Sequence, residues 1–362
     1  MRRARWIIEA KPGALKPVVY HCVSRVVNRE FVFGSAEKER LRKFMRMYEV
    51  FSGNRVLAYC FMSNHIHLLL EVLPAAVDGL SDEELLRRLR AIRSEAEVDE
   101  VVGELREARE AIAKGMADDL RVRAIHERFT YRMHDLSEFM KGFMQRYTQW
   151  HNGVRRRKGR LWEDRFKSVI VEDGTASRTM AAYIDLNPVR AGMAADPAGY
   201  RWSSYGEAVG GGAKGNGKKA REGLVRACQG HQGVGFEAEK WAEVSRIYRR
   251  AMGMALGRKS GKAEVDSGRR SKLATMNTEE ALAAKDNGTV LPDLGLAAML
   301  RHRVRYFTDG AVIGSKAFVN EAFAAARERF GARRRDGARK MRGGGAPAAG
   351  LLWSVRDLRM EV

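Results

Sequence analysis

The order of strand and helix patterns over residues 18–72 most constrains the fold of this chain. Residues 18–27 alternate and are β-branched, and residues 37–51 place apolar side chains at helical spacing. Residues 55–61 and 65–72 form two further strand patterns, separated by a short turn. This β-α-β-β order is typical of half of a ferredoxin-like sheet. We therefore predict an α+β fold, with a ferredoxin-like or RRM-like antiparallel sheet and helices packed against it.

The elements that complete this sheet follow later in the chain. The charge-rich residues at about 81–130 carry an apolar stripe and predict a helical insertion, read as a hairpin. An amphipathic helix then begins at Ser137 and is expected to be capped by Asn152 and Gly153. Residues 165–172 are the predicted last strand.

A further helix and a domain boundary are predicted beyond this strand. Thr175 is the candidate N-cap of the helix, which ends or kinks at Asn187 because Pro188 follows. The division predicted from composition is a domain at 14–208, a Gly/Lys linker at 209–219, and a mainly helical C-terminal region at 220–362 with a basic tail from 333 to 342.

The charge of the chain limits its partners. The 362 residues carry a formal net charge of +21, which favours a polyanion but alone does not decide for nucleic acid. The apolar runs fall far short of the roughly 20 residues that a membrane-spanning helix needs, so no membrane partner is expected. The three cysteines show no CxxC spacing, and no signal peptide is visible, which fits the cytoplasm.

The sequence His65-Ile66-His67 is the first candidate for chemistry. Residues i and i+2 of a strand share a face, so both imidazoles project together and Ile66 points away. Two imidazoles can bind one divalent ion but leave most coordination positions open. Strand alternation also produces such pairs by accident, so a metal site and an ordinary half-buried strand both remain open.

Tyr183 and Asn187 are the second candidate. They are four residues apart, so they share one face of a helix. A tyrosine can serve as a covalent nucleophile, and an amide oxygen can complete a metal shell. The alternative is a core tyrosine followed by an ordinary asparagine near a helix end.

A basic and aromatic stretch is the third candidate. Cationic side chains neutralise phosphates and indoles stack on unpaired bases, although a charge run is usually a solvated face. Its position between a predicted helix and the last strand favours DNA contact. The candidate DNA-binding residues are Arg155, Arg156, Arg157, Lys158, Arg160, Trp162, Arg165 and Lys167.

Four ordered blocks of this sequence resemble the REP-associated tyrosine transposases, members of the single-tyrosine, His-hydrophobic-His (HUH) superfamily. The resemblance spans residues 14–208, and the insertion departs from the shorter members. Residues 307–315 resemble a segment found in the extensions of longer relatives. The blocks are residues 20–29 (YHCVSRVVNR), 62–67 (MSNHIH), 159–168 (GRLWEDRFKS), and 183–192 (YIDLNPVRAG) with 202–205 (WSSY).

The resemblance implies a metal-dependent HUH endonuclease and strand transferase. In that family His65 and His67 would bind Mg²⁺ or Mn²⁺, with Asn187 at the position of a third ligand. Tyr183 would attack single-stranded DNA near hairpins and form a 5′-phosphotyrosine link.

Two other functions remain open alternatives. One is a domesticated regulator that binds single-stranded nucleic acid without catalysis. The other is a nuclease in which water replaces Tyr183 as the nucleophile. A homodimer is left open as the oligomeric state.

Overall fold

The structure, a computed structural model, describes residues 6–8, 16–212, 214–230, 238–252, 306–331, 334–335, 337–340 and 352–356. Within these ranges the strands form one seven-stranded sheet. In chain order the strands are β1 (Val18–Arg25), β2 (Arg55–Phe61), β3 (His65–Val72), β4 (Lys167–Val171), β5 (Val312–Gly314), β6 (Arg339–Lys340) and β7 (Trp353–Val355).

The strand order is β2-β3-β1-β4-β5-β7-β6. The first four strands pair antiparallel throughout, with β3 between β2 and β1 and with β4 on the far side of β1. This is the ferredoxin-like arrangement, so the α+β prediction is confirmed. The remaining strands extend the sheet beyond β4, where β5 runs parallel to β4 and β7 runs antiparallel to β5. The complete sheet is therefore mixed.

The helices lie on both faces of this sheet. One hydrophobic core joins a face of the sheet to α1 and α5, and a second joins the opposite face to α6, α8, α9 and α10. The helices are α1 (Ser35–Ser52), α2 (Asp82–Leu89), α3 (Glu95–Ala113), α4 (Leu120–Thr130), α5 (Leu136–Val154), α6 (Thr175–Asp185), α7 (Asn187–Arg190), α8 (Ser204–Gly210), α9 (Gly215–Gln229), α10 (Ala238–Ala251), α11 (Tyr306–Asp309) and α12 (Lys316–Ala325). Every helix in the described ranges is too short or too polar to span a bilayer.

Alternation along β3 assigns its side chains to these two cores. Ile66 and Leu68 are fully buried in the core beneath α1 and α5. Leu69 is fully buried in the core beneath α6. His67 belongs to the same face as Leu69, since side chains two residues apart along a strand point to one side. The polar residues of β3 therefore face the layer that contains α6.

The helical insertion differs from the predicted hairpin. It consists of three helices, α2, α3 and α4, because the chain turns after Leu89 and restarts at Ser94, whose hydroxyl accepts from the Glu97 amide. The predicted cap at Asn152 and Gly153 is also wrong, since α5 continues through both residues to Val154. A Ser N-cap and its Glu partner are a start signal that the charge-rich pattern had obscured.

The predicted linker at 209–219 contains the start of a packed helix. Helix α9 begins at Gly215 and lies against the backbone of β2. A Cβ at Gly223 would approach the Val56 carbonyl oxygen to 2.5 Å, so only glycine permits this spacing. The described C-terminal residues also supply β5, β6 and β7 to the main sheet, so this region contributes strands as well as the predicted helices. The ends of the basic tail, 333 and 341–342, lie outside the described residues.

Candidate active site

The histidine pair lies at the start of the central strand β3. His65 pairs in register with Arg25 of β1, and His67 pairs with Val23 of β1 and Cys60 of β2. The two imidazole centroids are 5.0 Å apart. His67 is buried at 3% exposure, whereas His65 is half-buried. Pairing on both sides of β3 fixes the register and therefore the face on which both rings project.

A hydrogen bond to a neighbouring amide oxygen orients His65. The Asn64 amide nitrogen donates to the Arg29 carbonyl oxygen at 3.0 Å, which fixes the orientation of the carboxamide. Its oxygen therefore faces His65 Nδ1, 2.7 Å away. A carboxamide oxygen only accepts, so His65 Nδ1 carries a proton, and in the neutral form of the ring Nε2 carries the lone pair. Metal-binding histidines are commonly oriented in this way, through the other ring nitrogen.

A third histidine stacks on the pair. The His21 ring lies parallel to that of His67, at an interplanar angle of 7° and a centroid distance of 5.2 Å. His21 Nε2 is 3.0 Å from His67 Nδ1, and His21 Nδ1 is 2.6 Å from the Phe307 carbonyl oxygen. His21 lies in the first of the four motif blocks, but its position in the sequence indicates no role for it. No sequence rule connects position 21 with position 307.

Burial keeps the imidazoles of His21 and His67 neutral. It lowers the pKa of His21 to about 4. It also lowers the pKa of His67 well below 6.5, and the nearby His65, His21, Arg190 and Arg25 lower it further. Neutral imidazole is the protonation state that binds metal ions. Within the described ranges, however, no three His, Cys, Asp or Glu side chains are arranged to hold one ion. A metal at this site would therefore need other oxygen ligands, such as an amide or phosphate.

Helix α6 brings Tyr183 to the same face of the sheet. Its ring centroid is 6.1 Å from His67 and 6.1 Å from His21. The Phe307 ring is 4.5 Å away, and the Arg190 guanidinium carbon lies 4.2 Å from the Tyr183 ring centroid. Tyr183 is only 2% exposed. The structure thus brings together Tyr183 and the histidines, two groups that are more than a hundred residues apart in sequence.

Asn187 is bound to the end of the tyrosine helix. Helix α6 ends at Asp185, and Asn187 begins the short helix α7, with Pro188 in its first turn. The Asn187 amide nitrogen donates to the Ile184 carbonyl oxygen at 3.1 Å, and its amide oxygen accepts from Arg190 at 2.9 Å. The break expected before Pro188 is therefore present. The role of Asn187 as a ligand stays a prediction.

Some of the candidate DNA-binding cations already form ion pairs within the part of the chain that the structure describes. Arg155 pairs with the buried Glu37. Arg157 lies 3.8 Å from Glu30, and Lys167 lies 3.0 Å from Asp309. These carboxylates come from distant parts of the chain, so the run of basic residues alone did not reveal them.

The other members of the stretch differ in exposure. Trp162 is half-buried, and its indole nitrogen donates to the Thr148 hydroxyl at 3.0 Å. The remaining cations, Arg156, Lys158, Arg160 and Arg165, are exposed. The stretch runs beside the end of β1, where the Glu163 amide donates to the Arg25 carbonyl oxygen at 2.8 Å. Arg25 is the register partner of His65, so this exposed basic segment borders the histidine pair.

Asp185 is a buried carboxylate that joins three helices around Tyr183. It accepts from the Tyr248 hydroxyl of α10 at 2.6 Å and from the Tyr205 amide of α8 at 3.0 Å. It is fully buried, and burial raises its pKa to about 6 despite these hydrogen bonds. Asp185 lies in the same motif as Tyr183, but its position in the sequence does not indicate this role.

We expect this carboxylate to make stability depend on pH. A folded-state pKa raised from 3.8 to about 6 gives stability that is fully present below pH 3.8 and is lost as pH rises to about 6. The loss amounts to about 3 kcal/mol. Asp185→Asn keeps an acceptor for the Tyr205 amide and removes the charge. Urea unfolding between pH 4.5 and 7.5 should show wild type losing stability relative to this variant. Parallel curves would contradict the prediction.

Comparison with known proteins adds a family match. Residues 14–77 match the family described as "Transposase IS200 like". No curated protein matches the chain in sequence. One solved structure, described as "Structure of the REP associates tyrosine transposase bound to a REP hairpin", is 13% identical with a TM-score of 0.31, and the alignment covers 64% of this chain and 96% of that chain. The family match spans β1 to β3 with both histidines. It confirms the transposase resemblance over that part of the chain.

Proposed function

We propose that this transposase-like protein cuts and rejoins single-stranded DNA beside hairpins, with Tyr183 as the nucleophile. The observation that carries the proposal is the 6.1 Å between the ring centroids of Tyr183 and His67. A tyrosine next to two imidazoles, of which burial keeps His67 neutral, suits a metal-assisted phosphoryl transfer. The hairpin substrate comes from the motif resemblance.

The proposed reaction exchanges one phosphoester bond for another. The Tyr183 phenolic oxygen loses its proton and forms a bond to phosphorus, while the bond from phosphorus to the 3′ oxygen of the preceding nucleotide breaks. The leaving 3′ oxygen takes up a proton and becomes a hydroxyl. The downstream strand then remains linked through its 5′ phosphate. Because the link is an ester of similar energy, another 3′ hydroxyl can reverse the step and join a new strand.

The residues present fit a divalent ion. His65 and His67 have their Nδ1 atoms hydrogen bonded, which leaves Nε2 of each ring as the ligand atom. Asn187 is our proposed third ligand, since an amide oxygen with one lone pair directed at Arg190 retains a second. When bound, Mg²⁺ or Mn²⁺ supplies Lewis acidity that stabilises charge on the phosphoryl oxygens.

Arg190 provides positive charge at the proposed nucleophile. Its guanidinium carbon is 4.2 Å from the Tyr183 ring centroid, and it donates to the Tyr183 carbonyl oxygen. A fixed cation here attracts the negatively charged phosphodiester and stabilises charge that develops during attack. Because Tyr183 is 2% exposed, the phosphodiester reaches the phenol only when neighbouring side chains move.

The central test is formation of a covalent adduct. The full chain is mixed with single-stranded hairpins that carry randomised flanking tetranucleotides and a label on the 3′ end, with Mg²⁺ or Mn²⁺. We expect a labelled protein band on a denaturing gel, absent with EDTA. DNA binding that ignores EDTA, without an adduct from any hairpin, would instead indicate a regulator that only binds.

The exposed cations beside the site are the proposed DNA contacts. Replacing Arg156, Lys158 and Arg160 together by alanine should lower affinity and reduce the slope of log affinity against log salt by about 2 for single strands. The matched control replaces Arg90, Arg106 and Lys114 of the insertion, which are equally exposed. Filter binding at several salt concentrations compares the two sets. Equal salt slopes for the two triple variants would show that Arg156, Lys158 and Arg160 do not contact the DNA.

The cytoplasm is the compartment that we propose for this activity. None of the three cysteines forms a disulfide, and Cys22 and Cys60 are buried where they pack as small apolar side chains. Free thiols persist in a reducing environment, where disulfides are rare. A homodimer remains a proposal that sedimentation or light scattering would test.

A further inference from the structure

The hydrogen bonds around His21 link the histidine pair to the distant C-terminal part of the chain. We infer that His21 is a positioning residue that holds His67 in the tautomer with its proton on Nδ1, and that the Phe307 carbonyl fixes His21 in turn. The inference rests on the proposed function only in taking His67 as a metal ligand. It adds a third histidine and the segment α11 to the site.

The first step is the bond between His21 and Phe307. The distance from His21 Nδ1 to the Phe307 carbonyl oxygen is 2.6 Å, and both residues are fully buried. A carbonyl oxygen has no proton to give, so at this distance Nδ1 must carry one. Two lone pairs facing each other would leave a buried acceptor unsatisfied, which costs about 1–3 kcal/mol.

The second step transfers this constraint to His67. A neutral imidazole with its proton on Nδ1 has a lone pair on Nε2. His21 Nε2 lies 3.0 Å from His67 Nδ1, so His67 must donate there. Its own proton is then on Nδ1, and Nε2 is left with the lone pair. If the hydrogen bond ran the other way, from His21 Nε2 to His67 Nδ1, the proton of His67 would be on Nε2, and that atom could not bind a metal ion.

The two histidines of the motif are thus prepared in the same way by different partners. His65 donates from Nδ1 to the Asn64 side chain, within the same turn of the chain. His67 donates from Nδ1 to His21, whose partner lies 286 residues further along the sequence. A carbonyl or carboxylate beyond a ligating histidine usually sets its tautomer. Here a second histidine transmits that effect.

Several contacts hold the Phe307 carbonyl in place. Helix α11 leads into β5. The carbonyl oxygens of Ala311, just before this strand, and of Ile313 within it accept from the amides of Ile170 and Glu172 at 2.8 and 2.9 Å. The Phe307 ring packs 4.5 Å from Tyr183. These backbone hydrogen bonds anchor the chain from four residues beyond Phe307 onward, which limits how far its carbonyl can move.

Two substitutions at His21 separate its hydrogen bonds from its packing. His21→Phe keeps a ring beside Tyr183 and His67 but has no acceptor for His67. His21→Gln retains both an acceptor and a donor. Titration calorimetry with Mn²⁺ alone, without DNA, should show a dissociation constant 10–100-fold larger for His21→Phe than for wild type. His21→Gln should recover much of the lost Mn²⁺ affinity. Equal Mn²⁺ affinity of wild type and His21→Phe would overturn the inference.

A measurement on the wild-type protein decides the tautomer directly. Long-range ¹H–¹⁵N spectra of metal-free protein labelled in histidine distinguish protonated from unprotonated ring nitrogens, with His67 assigned by its loss in His67→Gln. A proton on Nδ1 supports the inference, and a proton on Nε2 overturns it, even if His21→Phe fails to fold. Absence of a DNA adduct with the Nδ1 proton present would refute the proposed function and leave this inference standing.

Discussion

Replacing Tyr183 by phenylalanine is expected to remove the covalent DNA adduct and to reduce strand cleavage by roughly 10³-fold or more. The substitution deletes one oxygen atom and keeps the ring that packs 4.5 Å from Phe307. Folding and DNA affinity should therefore change little. A hairpin labelled at its 3′ end reports the adduct on a denaturing gel. A second hairpin labelled at its 5′ end reports the released fragment, whose 3′ hydroxyl a polymerase can extend.

Tyr147→Phe is the matched control for this experiment. Tyr147 is as buried as Tyr183, and its hydroxyl has no hydrogen-bond partner in the described part of the chain. Losing that hydroxyl should leave both folding and the adduct at wild-type level. Cleavage that persists in Tyr183→Phe without an adduct would identify water as the nucleophile. An adduct that persists would assign the chemistry to another tyrosine.

Local patterns predicted the core of the fold because its elements are regular. Strands β2 and β3 begin and end where alternation and the intervening turn at Ser63 and Asn64 indicated. The order β-α-β-β restricts such a chain to few topologies, which is why the antiparallel arrangement around β3 could be predicted from the sequence. The addition of β5, β7 and β6 could not be predicted, because a three-residue strand whose partner residues lie 142 positions earlier has no local signature.

The candidate site likewise has features that local patterns predict and features that depend on distant contacts. The common face of His65 and His67 follows from the two-residue period of a strand, and the break before Pro188 follows from sterics. The packing of Phe307 against Tyr183 and its bond to His21 depend on contacts across nearly the whole chain. The ion pairs of Arg155 and Lys167 likewise depend on carboxylates from distant elements. Periodicity contains no information about such pairs.

Removing one imidazole of the motif is the second change with a large expected effect. Substituting a residue that only orients a metal ligand typically weakens metal binding 10–100-fold. His65→Ala removes a proposed ligand itself, so it should weaken Mn²⁺ binding by more than this, and adduct formation should fall with it. His65 is the better choice because it is half-buried. Truncating the fully packed His67 would also leave His21 Nε2 without its partner. Calorimetry with Mn²⁺ and the adduct assay measure the two effects separately.

His126→Ala is the control for the loss of an imidazole. His126 lies in the insertion and pairs with Asp82 at 2.7 Å, away from the sheet. Its removal should change neither Mn²⁺ affinity nor the adduct. If His65→Ala still forms the adduct at the wild-type rate in EDTA, the tyrosine acts without a metal, and His65 serves only the fold. If the adduct is lost but excess Mn²⁺ restores it, His65 contributes affinity, and the remaining groups around Tyr183 carry the chemistry. Complete loss of the adduct at saturating Mn²⁺ would instead show that His65 is needed for the geometry of the reaction. Saturating metal compensates for weaker binding, so a loss that remains cannot come from metal affinity alone.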